Sequence, residues 1–310
     1  MANRTLATVS CLAALAVTPH AQAQALDQPP SAAPAAGGPQ GVTSGAQSTA
    51  AGVVQSINDP SRFWALRLHA ELGFVGVMSH IIQLSQNNSE FNYVTEGGQD
   101  TLLPFARFSA EIELAKRHQI ILLYQPLDIR TVAAPRRDLR ISNTMFRAGQ
   151  AIDFRYGFDF YRASYMYDFI ASPQHELSFG LSLQIRNANI DFTAVDGSAR
   201  TTNHNIGPVP ILKARGRYGF RNGAFLGFEV DGFWASGRFI TGSADDFEGA
   251  ICDASLRAGL HAFGPSEVYV NLRYIGGGAR GQQSNVGGSG DGFTNNWLHT
   301  MALSIGATLR

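Results

Sequence analysis

Long segments that separate apolar from charged side chains at a period of two constrain this chain more than any other feature. In Trp64 to Met78, Trp64, Leu66, Leu68, Ala70, Leu72 and Phe74 share one parity, while Arg67, His69 and Glu71 share the other. A helix would scatter both classes around its surface, and only an extended strand keeps them apart. The pattern recurs along the chain. Ala106, Phe108, Ala110, Ile112 and Leu114 oppose Arg107, Glu111 and Glu113. Leu177 to Ile185 oppose Glu176 and Arg186; Leu212, Ala214 and Tyr218 oppose Lys213, Arg215 and Arg217. Leu226, Phe228 and Val230 oppose Glu229 and Asp231; Cys252 to Leu260 oppose Asp253, Arg257 and His261; Val268 to Tyr274 oppose Glu267 and Arg273. Met301, Leu303, Ile305 and Leu309 end the series. In His118 to Arg130 both faces are apolar and the inward one is not assignable. In Ile152 to Phe169 the apolar parity changes between Phe160 and Tyr161, which predicts a bulge.

Connection lengths decide the topology. Short links fall at Lys116-Arg117, Ser172-Pro173-Gln174, Arg221-Asn222-Gly223 and Gly264-Pro265. Long links fall at about 79–101, 131–150, 193–207, 237–249 and 279–293, and the two kinds alternate. Ten strands running up and down, with every short turn at one end, satisfy this. Leu139 to Phe146 is a possible further pair, and the count becomes twelve if it joins the wall. Strands of ten or more residues exceed the ~5–6 usual in soluble sheets and fit a tilted bilayer crossing. The expected fold is therefore all-β: an up-and-down antiparallel transmembrane barrel over 62–310, in contact with outer-membrane lipid. A soluble β-sandwich or lipocalin-like barrel is the rival, with its greasy faces turned inward. Aromatic residues near strand ends (Trp64, Phe74, Trp234, Tyr274, Trp297) favour the membrane.

The amino end fits export. Arg4, the apolar run Leu6 to Val17, and the small-x-small triplets Ala21-Gln22-Ala23 and Ala23-Gln24-Ala25 form a secretory signal over 1–25. A lipoprotein anchor at Cys11 is disfavoured because that cysteine lies within the apolar run. Residues 26–61, rich in Ala, Pro, Gly and Gln, are expected to form a disordered periplasmic tail. The chain has two cysteines; Cys11 leaves with the signal and Cys252 is then the one cysteine left, so neither an intramolecular disulfide nor a thiolate metal site is expected. Lys+Arg and Asp+Glu are equal at 24 each, which removes the electrostatic argument for a nucleic-acid partner.

Several motifs resemble an uncharacterised family of bacterial outer-membrane β-barrel proteins. They are Arg117-His118-Gln119-Ile120-Ile121-Leu122-Leu123-Tyr124-Gln125-Pro126-Leu127, Tyr156-Gly157-Phe158-Asp159-Phe160-Tyr161-Arg162-Ala163-Ser164-Tyr165-Met166-Tyr167, Gln184-Ile185-Arg186-Asn187-Ala188 and Trp297-Leu298-His299. The resemblance implies an exported barrel, for which the barrel-assembly machinery is the expected partner, and it supplies no catalytic residue; the even strand count with short turns at one end is what places both termini in the periplasm. The ending Thr308-Leu309-Arg310 departs from the aromatic terminus usual in such barrels.

If the charged faces point inward, the lumen is lined by Arg67, His69, Glu71, Arg107, Glu111, Glu113, Arg162, Asp168, Arg186, Lys213, Arg215, Arg217, Glu229, Asp231, Asp253, Arg257, Glu267 and Arg273. Matched charge crossing a narrow lumen predicts a salt-bridged filling or a narrow, weakly selective pore passing or binding small polar solutes. Pairing Phe220 with Ala224 across the turn would set Arg215 opposite Glu229 and Lys213 opposite Asp231. The alternative is a hydrolase, protease or lipid-modifying, at the outer rim, for which His204, Asp245-Asp246 and His299 are the nearest material. Gly276 to Gly281 matches G-x-G-x-x-G but opens no helix, and it reads as loop. Gly287 to Gly292 resembles a calcium-repeat unit but occurs once, and such repeats bind by stacking. No cofactor or metal is called for. The signal reading predicts a mature protein beginning at Gln24 or Leu26, which intact-mass measurement of the exported protein checks.

Overall fold

The computed structural model describes residues 62–237, 247–282 and 291–310, with the side chains of 186, 205 and 263 excluded. Fourteen strands are present among them: β1 (Trp64–Leu84), β2 (Phe91–Asn92), β3 (Leu102–Leu114), β4 (His118–Gln125), β5 (Asp128–Ala133), β6 (Leu139–Ile141), β7 (Thr144–Phe146), β8 (Ile152–Asp168), β9 (His175–Ala194), β10 (Arg200–Gly219), β11 (Ala224–Ser236), β12 (Phe247–Phe263), β13 (Ser266–Gln282) and β14 (Phe293–Leu309). Ten of these positions form the wall, all antiparallel: β1, β3, β4 with β5, and β8 to β14. The wall closes on itself, because β1 pairs with β14 from Leu68↔Leu309 to Leu84↔Thr294. Closure leaves no unpaired edge, which a sheet in hydrocarbon requires.

Parity settles which face is in. The apolar set points outward: Leu72, Leu122 and Ile305 are 60%, 60% and 70% exposed. The charged set points inward and is buried, with Glu111 and Asp231 at 0% and Arg273 at 1%. A soluble sandwich would show the reverse. This is the build of a transmembrane β-barrel of the outer-membrane kind.

The strands run further than the alternation suggested. β1 extends to Leu84, β10 begins at Arg200 and β13 reaches Gln282, so the expected link 193–207 shrinks to a short turn around Gly197. Beyond the apolar band the outer wall turns polar, and the period-two signal fades while the hydrogen-bonded ladder continues. On that upper wall Arg155 bonds Asp128 (2.9 Å), and Arg155 and Arg200 both lie 3.8 Å from Asp191. Gly276 to Gly281 is likewise strand, not loop. A Cβ on Gly278 would fall 2.1 Å from the Asn296 carbonyl oxygen and 2.7 Å from the Trp297 indole, so glycine there lets β13 and β14 approach under the ring.

Two irregularities also differ from expectation. β8 pairs with β9 from Ile152↔Ala194 to Asp168↔Ser178 without a break, so there is no bulge at Phe160. The even residues of β8 face inward throughout; what changes is the lumen, from apolar around Phe154 and Phe160 to polar around Arg162. The register shift of β1 lies between Val77 and Ser79. It changes the parity of β1, so that Val75 and Val77 are buried before it and His80, Ile82 and Leu84 after it. β6 and β7 pair only with each other. Leu139 to Phe146 is therefore a separate hairpin, and the wall has ten strands. We expect detergent-extracted protein to migrate faster on a denaturing gel unboiled than boiled; identical mobility would contradict a closed, self-paired wall.

Candidate functional site

The interior is the site to which the pattern pointed, and it is filled in three storeys. Nearest the short turns, Arg67 bonds Glu111 (2.7 Å) and contacts Glu113. Arg215 bonds Glu111 and Glu176, both at 2.6 Å. Glu267 receives Arg217 at 2.7 Å and Arg310 at 3.2 Å. His69 lies 3.7 Å from Glu111 and its Nδ1 meets the Thr308 hydroxyl at 2.9 Å. Asp168 also faces inward, but its carboxylate accepts backbone N–H groups of Ile170 (2.9 Å) and Leu177 (3.2 Å) and so clamps the β8–β9 turn.

The middle storey is built around Asp253. Its carboxylate takes Arg273 at 2.5 Å, Arg107 at 3.1 Å and Arg162 at 3.2 Å. Asp231 takes Arg162 at 2.7 Å and Lys213 at 3.0 Å. Glu229 takes Arg107 and Lys213 at 3.2 Å and Arg257 at 3.4 Å. Glu71 accepts from Asn271 (2.9 Å) and Tyr269 (3.2 Å), with Arg273 at 3.7 Å. Seven strands contribute these groups, so the network crosses the lumen rather than following its wall.

The register across the Arg221-Asn222-Gly223 turn is the expected one: Phe220 N donates to the Ala224 carbonyl, Lys213 stands opposite Asp231 and Arg215 opposite Glu229. Lys213 bonds its cross-strand neighbour. Arg215 reaches across the lumen to Glu111 instead, because its longer side chain finds a bidentate partner there. The side chain of Arg186 lies outside those described.

The third storey, at the long-loop end, is apolar, and the alternation did not announce it. Phe91 of β2, Leu139, Ile141 and Phe146 of the β6–β7 hairpin, and Leu127 and Ile129 pack against inward residues of the strand extensions. Phe91 stacks on Phe154 at 4.9 Å, and Phe154 meets Phe192 edge-on at 5.4 Å. His80 lies flat on Tyr93 at 4.1 Å and bonds Gln99 at 2.7 Å. Burial of each large side chain is worth about 1.5–3 kcal/mol, so a dozen of them make a firm stopper. The available signal was the inward parity of Ile152, Phe154, Tyr156 and Phe160. It could not be read without knowing that the loop between β5 and β8 folds back.

The rim residues do not converge. His204 on β10 and His299 on β14 face the outer wall, with three strands between them. His299 bonds the Tyr274 hydroxyl at 2.7 Å. Asp245 and Asp246 lie outside the described residues. Among the described residues no group of His, Cys, Asp and Glu is placed to hold a metal ion.

Solved structures similar to this one include the outer-membrane protease OmpT from Escherichia coli, at 11% identity over 79% of this chain and 96% of that one, TM-score 0.45. The Pseudomonas putida toluene transporter TodX follows at 7% identity over 79% and 90%, TM-score 0.31. The beta domain of the Bordetella autotransporter BrkA is 12% identical over 78% and 98%, TM-score 0.28. At these values the likeness is one of outline, and no activity is carried over. No family model and no curated protein matches the chain.

Removing one partner from a buried ion network leaves the others uncompensated, typically at about 3–5 kcal/mol. Asp253→Asn, which removes one carboxylate partner from each of Arg107, Arg162 and Arg273, should therefore lower stability by that order in a urea titration of the refolded barrel. Asp196→Asn, in an exposed turn, should leave the midpoint near its original value.

Proposed function

We propose that the protein is an integral outer-membrane barrel, closed across its lumen at rest, that serves as a structural or surface-interaction protein rather than as a constitutive pore. One observation carries this reading: an ionic layer and an apolar stopper block the lumen in series. Two interior cavities among the described residues are about 30 Å³ each, room for a water or two but not for an organic solute. Interaction with other molecules then falls to the long-loop end, where strands extend past the apolar band and carry a polar, charged outer wall.

This reading puts the short turns and the carboxyl end in the periplasm and the stopper at the cell surface, following the usual short-inside, long-outside loop plan. It is non-enzymatic. The hydrolase alternative loses support because His204 and His299 sit apart on the outer wall, and His299 is engaged by the Tyr274 hydroxyl.

Reconstituted into planar bilayers, the protein should give no steady conductance. Deleting the β6–β7 hairpin alone should not open it, because the ionic layer remains. Stable current steps from the intact chain would overturn the closed reading. For orientation, a cysteine at Ser198 in a Cys252→Ser background should react with an impermeant maleimide on whole cells, and one at Asn222 only after the outer membrane is permeabilised.

A further inference from the structure

The two ion networks are separate among the described side chains, and they differ in balance. The short-turn network sets Arg67, Arg215, Arg217 and Arg310 against Glu111, Glu113, Glu176 and Glu267. The middle network sets Arg107, Arg162, Lys213, Arg257 and Arg273 against Glu71, Glu229, Asp231 and Asp253. The first is four against four and the second five against four, so the middle storey carries one uncompensated positive charge in a site withdrawn from water.

A cavity of about 30 Å³ lies at that storey. Arg107, Arg162, Lys213, Arg215, Arg257 and Arg273 line it, against two carboxylates, Glu71 and Glu229. The far wall is Ser109 and Ser164, with Ile121 and Leu123 between them. Arg273 is 1% exposed, yet its Nε and Nη2 donate no hydrogen bond; Nη2 has only the long 3.7 Å contact with Glu71. Buried donors without acceptors are costly. The volume exceeds the roughly 10–15 Å³ that one water needs, and it is too small for a carboxylic acid or a sugar. Water would satisfy the donors but leave the charge; an anion does both. A second cavity, also about 30 Å³, shares His69, Arg215 and Arg257 with the first and lies on its short-turn side.

We propose that the middle cavity is a binding site for a small monovalent anion of the halide class, held by Arg273 and the cations around it. The bound ion balances the charge of the middle storey. This goes beyond the closed-barrel reading and does not depend on it, since an open barrel could hold the same ion.

The test uses the full mature chain refolded in detergent, at equal ionic strength in sodium chloride, sodium bromide or sodium gluconate. Chloride and bromide should raise the midpoint for loss of the fast-migrating form by roughly 2–4 °C over gluconate, the shift expected for about one kcal/mol of ligand stabilisation in a barrel this size. Ser109→Leu, which fills the cavity from its neutral wall, should abolish that difference. Crystals grown in bromide should show an anomalous peak beside Arg273 in the unaltered protein, which keeps the idea testable if the variant does not fold. Equal midpoints in all three salts, a halide effect that survives the filled cavity, or an absent peak would each overturn the site.

Discussion

Hydrocarbon does not accept charge, and almost everything else in this molecule follows from that. An Arg or Lys facing lipid at the bilayer centre costs about 2–4 kcal/mol, and this chain carries one or more on most of its wall strands. The cost is avoided only if every strand presents its other parity to the membrane. A slip of one residue in any pairing would turn Arg107 or Arg273 outward and Leu72 or Leu272 inward, so register is strongly specified. The same solvent forbids a free edge, and the long pairing of β1 with β14 meets that demand.

With the charges inside, the lumen must accommodate them. Buried ion pairs are seldom net stabilisers compared with well-packed apolar residues. Here they gain from convergence: Asp253 sits among three guanidinium groups and Glu111 between two, and most of the cations have more than one partner. Above the band the situation changes. The outer wall meets water and can be polar, as at Asp128 and Asp191, while the interior can bury Phe91, Phe154 and Phe192 for ordinary hydrophobic gain. The barrel is thus inverted within the membrane and conventional above it.

That inversion explains what could be read in advance. The strand faces, the inward charges and the Lys213–Asp231 register depend on parity and one tight turn, which are local. The stopper depends on a loop folding back into the barrel, and no local period marks it. It left one trace, the change of apolar parity in β8 at Phe160, and a bulge was the natural local explanation for it. The true cause is the apolar packing of Phe91 and the Leu139–Phe146 hairpin against the inner face of β8. Arg215 is a similar case: its strand neighbour was predictable, but its partner across the lumen was not, because that depends on how wide the closed barrel is.

By itself the sequence determined that the chain forms long amphipathic strands, that short and long links alternate, and which side chains avoid lipid, because a two-residue repeat and turn chemistry are written residue by residue. Only the tertiary structure decided that ten strands close the wall, that the Leu139–Phe146 hairpin stays out of it, and that an ionic network and an apolar cluster fill the lumen one above the other. Those outcomes turn on barrel circumference and on contacts between segments far apart in the chain, where side-chain reach and packing, rather than local pattern, select the partner.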